Sequence, residues 1–155
     1  MAIYMKLGSI AGSVTASGYE TYIKLESFRW GFVANTSFAQ AGAEVTVREV
    51  VVTMRAEKAS PLIVNAGVSR ASLKPSVLFK FTTTGGDGKV IPFLSYELTD
   101  CIITNYSIEA PEEGHPVETL ALNFTKITET FNPRDSKMTG SPTTVTYDVK
   151  SAQTS

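Results

Sequence analysis

The sequence predicts a mainly β fold, a barrel or sandwich of antiparallel strands with one short α-helix. Three observations carry that reading. Apolar residues recur at period 2 in run after run, the pattern of a strand with one face buried. The runs are filled with Val, Ile, Thr, Phe and Tyr, which suit a pleated, partly buried surface. Each run is closed by Gly, Pro, Asn or Asp.

Strands are expected near 3–7, 20–32, 45–54, 76–83, 89–98, 100–108, 118–131 and 143–149. Eight strands in one 155-residue chain fit a single closed β domain, so residues 1–155 are taken as one domain. Ser60-Pro61 begins the helix, with the hydroxyl placed to cap free amides and proline at a position that needs no donor. Leu62, Ile63 and Ala66 follow on one face, so the helix is expected to plug one end of the barrel. Three glycines in TTTGGDGK, between Phe81 and Val90, supply the positive φ of a hairpin. Residues 33–44, small and polar around a lone Phe38, form the longest expected loop. The tail after Val149 is polar and expected to fray.

Several strands change phase partway. In LALNFTKITETF, Leu120, Leu122 and Phe124 share one parity while Ile127 and Phe131 take the other. Similar switches occur in YETYIKLESFRWGF, VTVREVVVTM and KVIPFLSYEL. A β-bulge produces this locally. Burial of both sheet faces produces it too, and its recurrence points to a second buried surface supplied by another copy of the chain. On that reading the strand faces a neighbour beyond Lys126, making Ile127, Glu129 and Phe131 candidate protomer-interface residues.

Composition narrows the function. Charged residues make up 19% and apolar residues 43%, with a net charge of -1, and no dense Lys/Arg run marks a nucleic-acid binder. No stretch approaches the ~20 apolar residues of a membrane span. The start MAIYMKLGS lacks the layout of a secretory signal, so synthesis in the cytoplasm is expected.

Cys101 is the single cysteine, expected as a buried, inert thiol, and excludes an intrachain disulfide. His115 is the single histidine, in the turn APEEGHP. With Glu112 and Glu113 it could collect a cation, but the solvated turn lacks a metal site's fixed geometry. G-x-S-x-G and G-x-x-x-x-G-K-[ST] are both absent. No catalytic, cofactor-binding or metal-binding residues are therefore assigned.

In order along the chain stand MAIYMKLGSIAG, YIKLESFRWG, KASP where the helix begins, a hairpin ending in YELTD, ETLALNFTKI, and closing PRD, GSP and YD elements. Together they resemble the haemolysin-coregulated protein family, the secreted tube subunits of bacterial type VI secretion. The resemblance implies a β-barrel with a flanking helix and an extended loop, assembled as a six-membered ring with a continuous inner wall. It further implies stacked rings, propulsion by a contractile sheath, tip spike proteins as partners, effector proteins in the lumen and release by type VI secretion. The polar face of LESFRWG would then line the lumen, with Ser27 and Arg29 as the candidates. Residues 33–48 would be the loop between successive rings, with Asn35, Phe38, Gln40, Glu44 and Arg48 as stacking candidates. Many members carry a longer, glycine-rich insert there. Two other readings are a monomeric ligand-binding barrel resembling lipocalins and a tail-tube subunit of a phage-like injection particle.

Overall fold

The computed structural model describes residues 1–34, 45–133 and 140–154. Its elements in order are β1 (Ala2–Leu7), β2 (Ile23–Arg29), β3 (Phe32–Ala34), β4 (Val45–Val47), β5 (Val50–Arg55), α1 (Ser60–Val68), β6 (Val77–Thr84), β7 (Val90–Thr99), β8 (Ile102–Glu109), β9 (Val117–Asn123), β10 (Lys126–Phe131), β11 (Thr143–Asp148) and β12 (Gln153–Thr154). Ten strands form one antiparallel sheet in the order β12-β11-β10-β7-β6-β1-β2-β5-β9-β8, and β3 pairs with β4 as a separate arm.

Chain connectivity shows that the sheet is rolled. β9 and β10 lie six places apart in the strand order, which would be roughly 29 Å in a flat sheet at the usual strand spacing. Only Phe124 and Thr125 join them. β7 and β8 are likewise at distant places and joined only by Asp100 and Cys101. Two residues reach about 7 Å per link, so the two regions of the sheet must curl together. The expected barrel is the result.

Twelve strands among the described residues replace the expected eight: three predicted runs are each two strands, and the tail expected to fray supplies β12, which pairs with β11 through Tyr147–Thr154 and Asp148–Gln153. Residues 118–131 break at Phe124-Thr125 into β9, paired with β5 and β8, and β10, paired with β7 and β11. Residues 45–54 break at Arg48-Glu49, and residues 20–32 at Trp30-Gly31. Residues 20–22 form a turn before β2. The phase switch within β2 is a bulge: the register to β5 shifts between Leu25 and Ser27, leaving Glu26 as the extra residue. In β7 the extra residue is Phe93, opposite the shift between Phe81 and Thr82. Thus the parity changes that suggested a second copy arise within one chain.

The interior is filled by Met5, Leu7, Ile23, Val50, Val52, Met54, Phe79, Leu98, Leu120 and Leu122, each fully buried. Phe28 packs against Phe79, Phe81 and Tyr96, with ring centroids 4.9, 5.1 and 5.0 Å away. Burial of one such side chain stabilises by roughly 1.5–3 kcal/mol. Glycine is required at Gly12, where a Cβ would collide with the Tyr22 carbonyl. That close approach lays the loop before β2 against the barrel.

The helix begins where the sequence places it, with Pro61 in its first turn, but its cap differs. Ala59 is the N-cap and no side chain caps the amides. The Ser60 hydroxyl instead accepts the Glu57 N–H at 2.9 Å and donates to the Glu118 carboxylate. Ile63 and Ala66 face the core, whereas Leu62 is 51% exposed, so the expected three-residue apolar face is only partly inward. The expected hairpin joins β6 and β7: Gly85 N–H donates to the Lys89 carbonyl at 2.8 Å, and of the three glycines only Gly88, with φ 79°, takes the positive φ expected of them.

Candidate functional site

Two surfaces collect the residues expected to act. The first is the outward face of β2, β5, β9 and β8. In register across these strands run Ser27, Thr53, Thr119 and Ser107, a row of hydroxyls produced because alternation sends their neighbours Phe28, Val52, Leu120 and Tyr106 inward. Ser27 and Thr53 are joined hydroxyl to hydroxyl at 2.6 Å. The next row holds Arg29, Val51, Ala121 and Asn105. Ser27 and Arg29 are both exposed on this polar face. Arg29 has no ion-pair partner among the described residues. Arg55 and the bulged Glu26 form an exposed pair at 2.7 Å, a contact worth little to stability.

The second surface is a groove of about 290 Å³ between the β3–β4 arm and the end of the sheet. Trp30, Phe32, Val45 and Val47 form one wall; Ile127, Glu129, Val145 and Tyr147 form the other. The arm exists because Phe32, Val33 and Ala34 pair with Val47, Thr46 and Val45, and the Arg48 N–H returns to the Gly31 carbonyl at 3.0 Å. Phe32 is 61% exposed, and Val33, Val45, Phe131 and Val145 are also exposed.

The structure divides the expected interface residues. Phe131 is exposed, but Ile127 is 3% exposed and belongs to the chain's own core. This corrects the expectation for Ile127: β10 re-pairs with β7 and β11 and turns that side chain inward. Glu129 is half-buried beside Tyr96. Burial first, then the hydrogen bond to Glu129 and its charge, push the Tyr96 phenol pKa well above its usual range. Of the stacking candidates, Arg48 is exposed between β4 and β5, while Asn35, Phe38, Gln40 and Glu44 lie outside the described residues.

Sequence reasoning missed Glu118. It is fully buried, accepts hydrogen bonds from Ser60 and from the Tyr106 hydroxyl at 2.7 Å, and ties α1 to β8 and β9. The signal was present: Glu118 shares the inward parity of Leu120 and Leu122. Burial, the Glu118 hydrogen bond and its negative charge raise the Tyr106 phenol pKa to about 12. Cys101 is buried as expected, and burial pushes its thiol up to about 12. His115 is exposed in its turn, with Nε2 2.9 Å from the Ala56 carbonyl. Among the described residues no group of three or more His, Cys, Asp or Glu could hold a metal ion, and no helix is long and apolar enough to cross a membrane.

No curated protein sequence gives a significant match. Solved structures do match over nearly the full length. Hcp1 from Salmonella typhimurium superposes with a TM-score of 0.82 at 22% identity, covering 99% of this chain and 98% of that one. A structure described as a type six secretion system protein gives 0.86 at 20% identity, covering 99% of both chains. A type VI secretion system effector from Yersinia pestis gives 0.78 at 21% identity, covering 95% of this chain and 99% of that one. The family described as "Type VI secretion system effector, Hcp" matches residues 4–131. A rolled sheet with a flanking helix, a projecting apolar arm and this sequence match agree: the chain belongs to the Hcp family and is a tube component of a type VI secretion system.

Proposed function

We propose that the chain is a non-catalytic subunit that closes with copies of itself into a six-membered ring, that rings stack into a tube, and that the tube carries effector proteins in its lumen. The observation that carries this reading is the apolar arm and groove. Phe32 at 61%, Val145 at 48%, Phe131 at 45% and Val45 at 42% exposure lie around one end of the barrel. A lone protomer leaves these side chains in water, and large contiguous apolar exposure is uncommon on monomers. A neighbouring copy covers them, and ring closure also protects free strand edges.

In this assembly Ser27 and Arg29 line the lumen, and the segment 33–48 contacts the next ring. Phe131 and Glu129 meet the neighbouring protomer. A contractile sheath and tip spike proteins are the external partners, and the subunit leaves the cell by type VI secretion. Light scattering combined with negative-stain imaging of the purified chain tests the reading. Particles of about six times the 16.7 kDa monomer mass, ring-shaped in projection, are expected. A stable monomer at high micromolar concentration overturns it.

A further inference from the structure

The outward face of β6, β1, β2 and β5 gathers cations that are far apart in the sequence. Lys24, Tyr4 and Lys80 stand in register across β2, β1 and β6. Lys24 and Lys80 therefore flank Tyr4 on the same face, about 10 Å apart at two strand spacings. Lys6 projects from the same face two residues along β1, and Arg29 from the far end of β2. Arg55 adds a fifth cation on β5. The one acid on these four outward faces is Glu26, and Arg55 holds it. Glu97 is the next acid across the sheet, on β7 opposite Leu78. Among the described residues, Lys6, Lys24, Arg29 and Lys80 have no ion-pair partner.

The face mixes cations with aromatic rings. Tyr4 stacks on Tyr19 at 4.9 Å, and Tyr19 meets Tyr22 edge-on at 5.4 Å, so the aromatic surface between the lysines is held rigidly. Hydroxyls of Ser27 and Thr53 lie beside Arg29, and the Glu26–Arg55 pair stands between them and Lys24. Spaced ammonium and guanidinium groups, with hydroxyls near the Arg29 end, match carboxylates on a protein surface. A single-stranded nucleic acid calls for a continuous basic groove and freely available aromatic faces. Here one face of the Tyr4 ring is occupied by Tyr19, and the chain's net charge is -1.

We propose that this face, formed by Lys6, Lys24, Arg29 and Lys80 around Tyr4, is a docking surface for an acidic protein segment. The proposal rests on the reading of Ser27 and Arg29 as lumen-facing, and it gives the lumen wall a preference: cargo presenting Asp/Glu-rich surface is retained. A ring repeats the face on every protomer, so weak single contacts combine into avidity.

The test uses the full chain and a short fluorescein-labelled oligoglutamate peptide, followed by fluorescence anisotropy at low salt and at about 0.5 M salt, where exposed charges are screened. Wild type is compared with Lys24→Gln/Lys80→Gln and with Lys58→Gln/Lys150→Gln, whose lysines lie off this face. Oligothymidylate is the nucleic-acid probe, and light scattering on each sample reports assembly. Expected are salt-sensitive peptide binding, a loss of about tenfold in Lys24→Gln/Lys80→Gln, little change in Lys58→Gln/Lys150→Gln, and weaker binding of oligothymidylate. Equal losses in both variants, tighter binding of oligothymidylate, or assembled wild type that ignores the peptide overturns the docking face. A monomeric wild type that binds the peptide and loses it on Lys24→Gln/Lys80→Gln leaves the face standing and removes the tube reading instead.

Discussion

Thr125 donates its backbone N–H to the Thr99 carbonyl at 3.0 Å, and its hydroxyl reaches the same carbonyl at 3.2 Å and Asp100 Oδ2 at 3.1 Å. Those contacts join the β9–β10 connection to the β7–β8 connection, the two short links that curl the sheet. Asp100 adopts φ 52° there, a conformation that Asp tolerates better than most residues. Thr125→Val keeps the shape and removes the hydroxyl bonds. A loss of about 1 kcal/mol is expected in urea denaturation, with the barrel retained by circular dichroism. An unchanged midpoint would show that the backbone contact alone suffices.

Glu118 anchors the helix from inside the barrel. Removing either donor leaves a buried carboxylate short of a partner, which costs roughly 1–3 kcal/mol. Ser60→Ala and Tyr106→Phe should each destabilise by that order, and the double variant by an amount that differs from their sum, since both act on one carboxylate. Strict additivity in a double-mutant cycle would separate the two contacts.

Alkali should unfold the protein through groups whose protons the folded state holds more tightly. The folded-state pKa of Tyr106 is raised from 10.0 to about 12 and that of Cys101 from 9.0 to about 12. The unfolded chain therefore loses these protons first. Their contribution is fully present below pH 9, declines as pH rises from 9 and 10, and is gone beyond about 12. Tyr106→Phe should flatten the upper part of that decline in denaturation series at increasing pH. An identical slope in both proteins would remove Tyr106 from the account.

The same burial makes Cys101 chemically silent. An aromatic disulfide reagent at pH 8 should leave the native thiol unreacted and titrate one thiol per chain after denaturant is added. Rapid reaction of the native protein would contradict the packing around Leu73, Ile103 and Leu98.

Phe32 separates assembly from folding. Because it is 61% exposed on the arm, Phe32→Glu should change monomer stability by no more than about 0.5 kcal/mol. On the assembly reading the same substitution places a charge in the contact between copies and should shift light scattering from ring to monomer. A variant that folds and assembles like wild type would move the interface away from the arm.

Local patterning made most of the fold legible. Strand composition, Gly88 of the β6–β7 hairpin and Pro61 at the helix start each act through nearby backbone geometry, and each appears where the sequence places it. Motif order along the chain was enough to point to the family. The unexpected partition of residues 118–131 has a different origin. Nothing local distinguishes a bulge, a break or a second buried face, because all three look like a change of parity at Lys126-Ile127.

The sequence by itself determined the β class, the alternating faces and the placement of Ser27 and Arg29 on a polar side, since period-2 burial is a property of the strand alone. Tertiary structure decided which strands pair across the rolled sheet. It thereby decided that Ile127 enters the protomer's own core, that Glu118 finds Ser60 and Tyr106, and that Lys6, Lys24 and Lys80 share one surface. Those outcomes depend on long-range register, in which a shift of one residue exchanges inside for outside, and no segment contains that information on its own.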